Sequence, residues 1–235
     1  MTDEIDTPTL IRMMDNVLAV MVANEGYLTN LDAEIGDADH GINMVRGFQL
    51  VHDRLEGLND SSVGEVLTTV GIAIMEGAAG SSGVLYGVFF TQGGSSLQGR
   101  KSLDKSDLAR VFADGYAAME EMSGGTKPGE KTMIDALDPA VRALKEAAVD
   151  PKATLRIALE IATAAAKSGL ESTIDLVATK GRAAYLGERS RGHQDIGATT
   201  MYLILRTMLD TIEGRVGVKV ASYAPSGAIL EETYL

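Results

Sequence analysis

The feature that most limits what this chain can fold into is its punctuation. About eight stretches of helical periodicity are separated by connections of two quite different kinds. The first stretch opens at Thr7-Pro8 and runs to about Asn24, with Leu10, Met13, Met14, Val17, Leu18 and Met21 on one face. Proline suits a first turn because its missing N–H has no partner inside the helix there. The second is expected from about His40 to Glu56, with Met44, Val45, Phe48, Val51 and Leu55 aligned. A third follows Asn59-Asp60-Ser61 and reaches Gly77, a fourth runs from near Ser82 to about Gly99, and a fifth enters near Ser106. A sixth, over about 132–148, carries Asp138-Pro139, where a bend is expected. The seventh is expected to start at Asp150-Pro151 and end near Ser172, and the last to span Gly197 to Glu213. Residues 1–213 read as one helical domain, and 214–235 as a C-terminal tail without helical periodicity and without an assigned role.

Three connections, GLNDS, GRKSLDKS and VDP, are short polar turns. The other four are LTNLDAEIGDAD, GAAGSS, SGGTKPGEK and STIDLVATKGRAAYLGERSRGHQD. Alternate connections of an up-and-down helical array lie at the same end, so all four unusual links are expected on one face. Long irregular connections in a compact domain are usually functional, which places the site there.

Composition supports helices: there is no Cys or Trp, aromatic residues reach only 5%, and Ala and Leu are abundant. Without Cys, disulfides, thiolate nucleophiles and Cys-based zinc sites are excluded. The formal charge of -12 disfavours nucleic acid and anionic membrane surfaces as partners. The opening MTDEIDTPTL lacks the basic and apolar regions of a signal peptide, and no apolar run approaches the about 20 residues of a membrane helix. A soluble, cytoplasmic protein is expected.

The strongest chemical motif is Asp32-Ala-Glu-Ile-Gly-Asp37-Ala-Asp39-His40-Gly41. Hard divalent cations take oxygen ligands and retain open positions for phosphate and water, a use that three clustered carboxylates suit. The alternative is that Asp39 caps the second helix while Asp32 and Asp37 are solvated. A calcium EF-hand is excluded, since Gly41 and Phe48 occupy positions where ligands are needed. The stretch Gly77 to Gly83 lets backbone N–H groups approach an anion at a helix start, or lets two helices pack closely. Gly124 to Thr132 superficially resembles a phosphate-binding Walker loop, but Glu130 separates Gly129 from Lys131 and no strand precedes it. It reads as a tight turn capped by Thr132, with Lys131 either near a nucleotide or a surface charge. The final link concentrates Arg182, Arg189 and Arg191, whose planar donors match phosphate; the alternative is a solvated loop. His52 and His193 read as surface or packing residues.

Together, LDAEIGDADHGINMVRGF, GSSGVLYG, PGEKTMIDAL and KGRAAYLGERSRGHQDIGAT resemble the L subunit of dihydroxyacetone kinases and the matching C-terminal domain of single-chain ATP-dependent versions. The resemblance covers most of residues 10–213. It implies an all-α barrel of about eight antiparallel up-and-down helices with a nucleotide site at one end. It also implies that Asp32, Asp37 and Asp39 coordinate two magnesium ions bridging the phosphates of ADP or ATP. His40, Gly41, Ile42, Asn43, Ser81 and Ser82 would line the nucleotide, with Gly124, Thr132 and Met133 nearby. Arg182 would act as the catalytic charge stabiliser, and Asp195 through Gly197 would close the pocket. In such kinases the ketose is held by a separate K subunit or domain, which nothing here resembles. In the phosphotransferase-linked type an M subunit recharges retained ADP. The implied activity is phosphoryl transfer to dihydroxyacetone; alternatives are an ATP-dependent kinase for a related ketose such as erythrulose, or a nucleotide-bound regulatory module. A homo-oligomer is compatible with the sequence.

Overall fold

The computed structural model describes residues 3–235. A two-residue strand, β1 (Ile5–Asp6), leads into α1 (Thr7–Ala23). The cap of α1 is Asp6, whose carboxylate accepts from the Thr9 N–H at 2.9 Å, one residue before the expected Thr7. Asn24 interrupts the helix and α2 (Glu25–Ile35) follows at once. This helix corrects the sequence reading, which places most of these residues in a link. Its buried Tyr27, Leu28, Leu31 and Ile35 do share a face, but it is short and bounded by Asn24 and Gly36. Next come α3 (His40–Leu55), α4 (Val63–Gly77), α5 (Gly80–Ser95), β2 (Ser102–Leu103), α6 (Lys105–Met122) and α7 (Met133–Val149). Pro139 lies inside α7 and does not divide it.

The chain ends with α8 (Leu155–Ser172), α9 (Ile196–Ile212), and the strands β3 (Val218–Tyr223) and β4 (Ile229–Tyr234). The start of α8 also differs from expectation. Asp150 closes α7 instead, residues 151–153 turn, and the Thr154 hydroxyl caps α8 by accepting from the Ile157 N–H at 3.2 Å.

Around the molecule, α1, α3, α4, α5, α6, α7, α8 and α9 each pack on the next, and α9 packs on α1 to close a ring of eight. The ninth helix, α2, sits at one end against α3 and α9. One continuous apolar core includes Met13, Phe48, Tyr86, Phe89 and Tyr202. The polar turns meet at the opposite end, where β1 pairs with β2 and the Thr7 hydroxyl donates to the Ser61 carbonyl at 2.9 Å. No helix among the described residues is long and apolar enough to cross a membrane.

Residues 214–235, which lack helical periodicity, form strands instead of helix. Strands β3 and β4 form an antiparallel hairpin, pairing Val218 with Tyr234 and Val220 with Glu232. Its presence follows from α9, which is buried on nearly every side from Gly197 to Thr211. Such a helix needs cover all round. The Tyr202 hydroxyl donates to Glu232 at 2.6 Å, and Arg206 donates to the Tyr234 hydroxyl at 2.6 Å. Buried Asp210 receives both Arg206 and Arg215 at 3.1 Å.

On the other edge, the Asn24 side chain stands in for a neighbouring strand. It donates to the Val218 carbonyl at 2.9 Å and accepts from the Val220 N–H at 2.8 Å. Replacing Asn24 with Ala leaves both buried backbone groups unpaired, and is expected to cost about 1–3 kcal/mol. Urea unfolding of the variant against the parent protein checks this.

Candidate metal and phosphate site

Asp32, Asp37 and Asp39 come together so that one oxygen from each lies within 4.8 Å of the other two. Asp32 is buried in the last turn of α2, and Gly36 ends that helix directly beside it. A Cβ on Gly36 would stand 1.9 Å from the Asp32 Oδ1, so the carboxylate has room only because residue 36 has no side chain. Ala38 takes a left-handed φ of 61°, turning the chain between Asp37 and Asp39. Such a conformation is costly for a residue with a side chain and persists where surrounding structure imposes it.

Oδ2 of Asp32 accepts the Asp39 N–H at 2.9 Å and the His40 N–H at 3.0 Å, satisfying the start of α3. Asp39 occupies the N-cap position but makes no capping bond with its own side chain. Its carboxylate is therefore not spent on the helix, and the capping alternative fails. Burial, then the charge of Asp39, raises the pKa of Asp37, with Arg182 opposing. Repelling hard-oxygen donors of this kind suit a divalent cation.

A cavity of about 430 Å³ opens beside the acids and draws its walls from all four unusual links. Ala79, Gly80, Ser81 and Ser82 bring the N-terminus of α5, which has no side-chain cap. Unsatisfied N–H groups and the helix dipole there favour an anion. Leu85, Met119, Met122, Met133 and Ile134 supply an apolar wall.

The last link enters through Gly181, with φ 65°, and continues as two short 3₁₀ turns within Arg182–Ser190, separated by a kink at Gly187. A small apolar cluster of Ile35, Ala178 and Ala183 fastens it to the end of α2, with Leu186 packed alongside. The Arg182 guanidinium consequently pairs with Asp37. Arg191 is turned away, donating to Glu188 at 3.1 Å and to the Asp175 carbonyl, and neither it nor Arg189 lines the cavity.

Asp195 caps α9 by accepting from the Ala198 N–H at 2.7 Å, and burial pushes its pKa up to about 7. His40 contacts the Thr200 hydroxyl through Nε2 at 2.8 Å; burial lowers its pKa to about 4, so it stays neutral near pH 7.

The cavity thus gathers Asp32, Asp37, Asp39, His40, Asn43, Ser81, Ser82, Thr132, Met133, Arg182, Asp195 and Gly197. Three expected residues are not in its lining. Gly41 faces α2 instead, where a Cβ would lie 2.3 Å from the Glu25 carbonyl oxygen. Ile42 is exposed, and Gly124 takes a left-handed φ of 72° in the turn after α6. The Thr132 hydroxyl is engaged as the cap of α7.

Lys131 was not expected as a structural centre of the site, and it is not a surface charge. It is buried at a left-handed φ of 63°, and its ammonium donates to the carbonyls of Thr173 and His193. It thereby ties the α6–α7 link to both ends of the α8–α9 link. Tyr86, also missed, donates to the Gly197 carbonyl at 2.6 Å. Both partnerships join residues distant in sequence, and no local pattern marks them.

A closed ring of helices with acids, an open helix N-terminus and an arginine at one mouth defines a class of phosphate-handling helical domain. The DAK2 domain model matches residues 34–210, well over half the chain, and the protein belongs to that family. It is 42% identical to the Escherichia coli protein named PEP-dependent dihydroxyacetone kinase, ADP-binding subunit DhaL, over 77% of this chain and 86% of that one. It is 34% identical to a Listeria innocua protein similarly named an ADP-binding subunit DhaL, over 87% and 94% of the two chains. The fold also matches the crystal structure of the C. freundii dihydroxyacetone kinase in complex with AMP-PNP and Mg2+, with a TM-score of 0.65 and 27% identity. That match covers 86% of this chain but only 33% of the larger one.

The raised pKa of Asp195 sets a pH dependence. In the folded state the group holds its proton from the ordinary 3.8 up to about 7, so its stabilising contribution is complete below the lower value and lost through the upper. Asp195→Asn retains a capping oxygen and removes this titration. Thermal unfolding of the two proteins at pH 5 and pH 8 should therefore show the variant gaining on the parent at the higher pH.

Proposed function

We propose that this chain is the nucleotide-binding subunit of a dihydroxyacetone-type kinase, acting in phosphoryl transfer from a nucleotide to a small ketose held by a separate K subunit. The observation that carries the reading is the convergence of three carboxylates, the uncapped start of α5 and Arg182 on one cavity. The names of the similar DhaL subunits support the same chemistry.

The carboxylates of Asp32, Asp37 and Asp39 would hold magnesium, two ions in the full reading, which would supply charge neutralisation at the phosphates. The α5 N-terminus with Ser81 and Ser82 would receive phosphate oxygens, and the wall from Leu85 to Ile134 would accept the base. Arg182, more than half exposed and already paired with Asp37, would stabilise the developing charge on the phosphates. A loose phosphoryl-transfer transition state asks mainly for positioning and charge stabilisation, so the chain needs no nucleophile of its own. His40, neutral and bonded to Thr200, holds the start of α3 and adds no charge.

The retained nucleotide would be ADP, recharged by an M-type phosphocarrier, in line with relatives named for PEP or PTS dependence. The 34% identity to a Mycolicibacterium smegmatis D-erythrulose kinase keeps that ketose as the alternative acceptor, with ATP as an exchanging donor.

Purification without added nucleotide, followed by denaturation, should release near-stoichiometric ADP, identified by chromatography and mass. An empty protein that binds Mg-ATP reversibly would favour the exchanging donor, and no binding of either would sink the proposal. Asp37→Ala should weaken magnesium-dependent nucleotide binding by at least about 100-fold, since even residues behind metal ligands cost about 10–100-fold. Wild-type retention would remove the metal assignment.

A further inference from the structure

The turn of the C-terminal hairpin lies against Leu31 and Gln194, each next to a site residue, and against Tyr27 of α2. The Ser226 carbonyl accepts the Gln194 N–H at 2.7 Å, and the Gly227 carbonyl accepts the Tyr27 hydroxyl at 2.7 Å. Gln194 closes the triangle by donating from Nε2 to the Tyr27 hydroxyl at 2.9 Å and to the Thr199 hydroxyl at 2.9 Å. These bonds are oriented. Tyr27 and Thr199 already donate elsewhere, Thr199 to the Asp195 carbonyl at 2.7 Å, so each can only accept from the amide. Gln194 is completely buried, and its remaining oxygen has no partner. Its place is set by these bonds and by nothing from solvent.

Gly227 has a left-handed φ of 85°, and a Cβ there would stand 2.2 Å from Leu31 Cδ2 and 3.3 Å from Gln194 Cβ. The turn is therefore wedged between α2 and the α8–α9 link. Leu31 immediately precedes Asp32, and Gln194 immediately precedes Asp195. One short segment touches the chain on both sides of the cavity, at the residue before a metal-binding candidate and the residue before the cap of α9.

We infer that the hairpin turn, Ala224 to Ala228, is a positioning element that sets the separation of the Asp32 turn from the Asp195 segment, with Tyr27 and Gln194 as its positioning residues. The hairpin's strands cover α9; its turn acts on the site. A pure cover would need apolar contact with α9 alone, whereas this turn spends both of its inward carbonyls on α2 and the link.

Hydrogen exchange on the full-length protein without ligand tests the inference independently of the nucleotide reading. The amides of Asp39 and His40 report Asp32, and the amide of Ala198 reports Asp195. In Tyr27→Phe and Gly227→Val these amides should exchange about tenfold faster, the scale of a lost hydrogen bond. Tyr234→Phe, altered at the far end of the hairpin, should leave them unchanged. Uniform acceleration through α4 to α8, or no selective change in the conservative Tyr27→Phe, would overturn the inference and leave the hairpin a cover only.

Mg-ADP titration provides a second readout, which does rest on the proposed function. Tyr27→Phe should bind about tenfold more weakly at a temperature where it is fully folded. Equal affinity in variant and parent would overturn the positioning role. A parent that binds no Mg-ADP would instead fail the nucleotide reading, and hydrogen exchange would still decide the role of the turn.

Discussion

Three carboxylates confined within 4.8 Å repel one another, and the surrounding structure is arranged to make that confinement tolerable. Asp32 accepts two backbone N–H groups at the start of α3. Asp37 meets the Arg182 guanidinium carried in from the last link. The left-handed Ala38 is a local strain accepted so that the acids converge, and the bare Gly36 leaves room for the Asp32 carboxylate. On the proposed function, a bound divalent cation would relieve this repulsion further.

The helical ring supplies the rigidity this requires. Four links that are far apart in sequence become neighbours because helices of similar length reverse direction at each turn, which stacks alternate connections at one end. Loops alone would not hold Lys131 in a left-handed conformation or bury its ammonium among carbonyls. The packed ends of α6, α7, α8 and α9 do so. Burial has opposite effects on two titratable residues of the cavity, raising the pKa of Asp195 to about 7 and lowering that of His40 to about 4.

Much of this was legible in the chain. The helix periods, the difference between polar turns and irregular links, and the grouping of those links on one face all follow from local patterns. So do the acid cluster and the arginine that faces it. The errors have physical causes as well. The short helix α2 was hidden because its apolar face spans only four residues, and Asp32 consequently lies on a helix rather than a loop. Pro151 looked like a helix start, but Thr154 provides the cap that the backbone uses. The hairpin had an indirect mark: the run from Met201 to Leu205 is apolar on all sides, too much so for a helix with an open face.

The sequence by itself determined the number of ring helices, the end at which they carry chemistry, and the chemical class of the donors, because these depend on periodicity and residue type within short windows. Tertiary structure alone decided which donors remain free. Whether Asp39 is spent as a cap, whether Lys131 faces solvent, and whether Gly41 meets a ligand or a helix each depend on a partner many residues away. It also decided that the last twenty or so residues brace the site, since the bonds from Tyr27 and Gln194 to the hairpin turn exist only once α2, the final link and the C-terminus have been packed together.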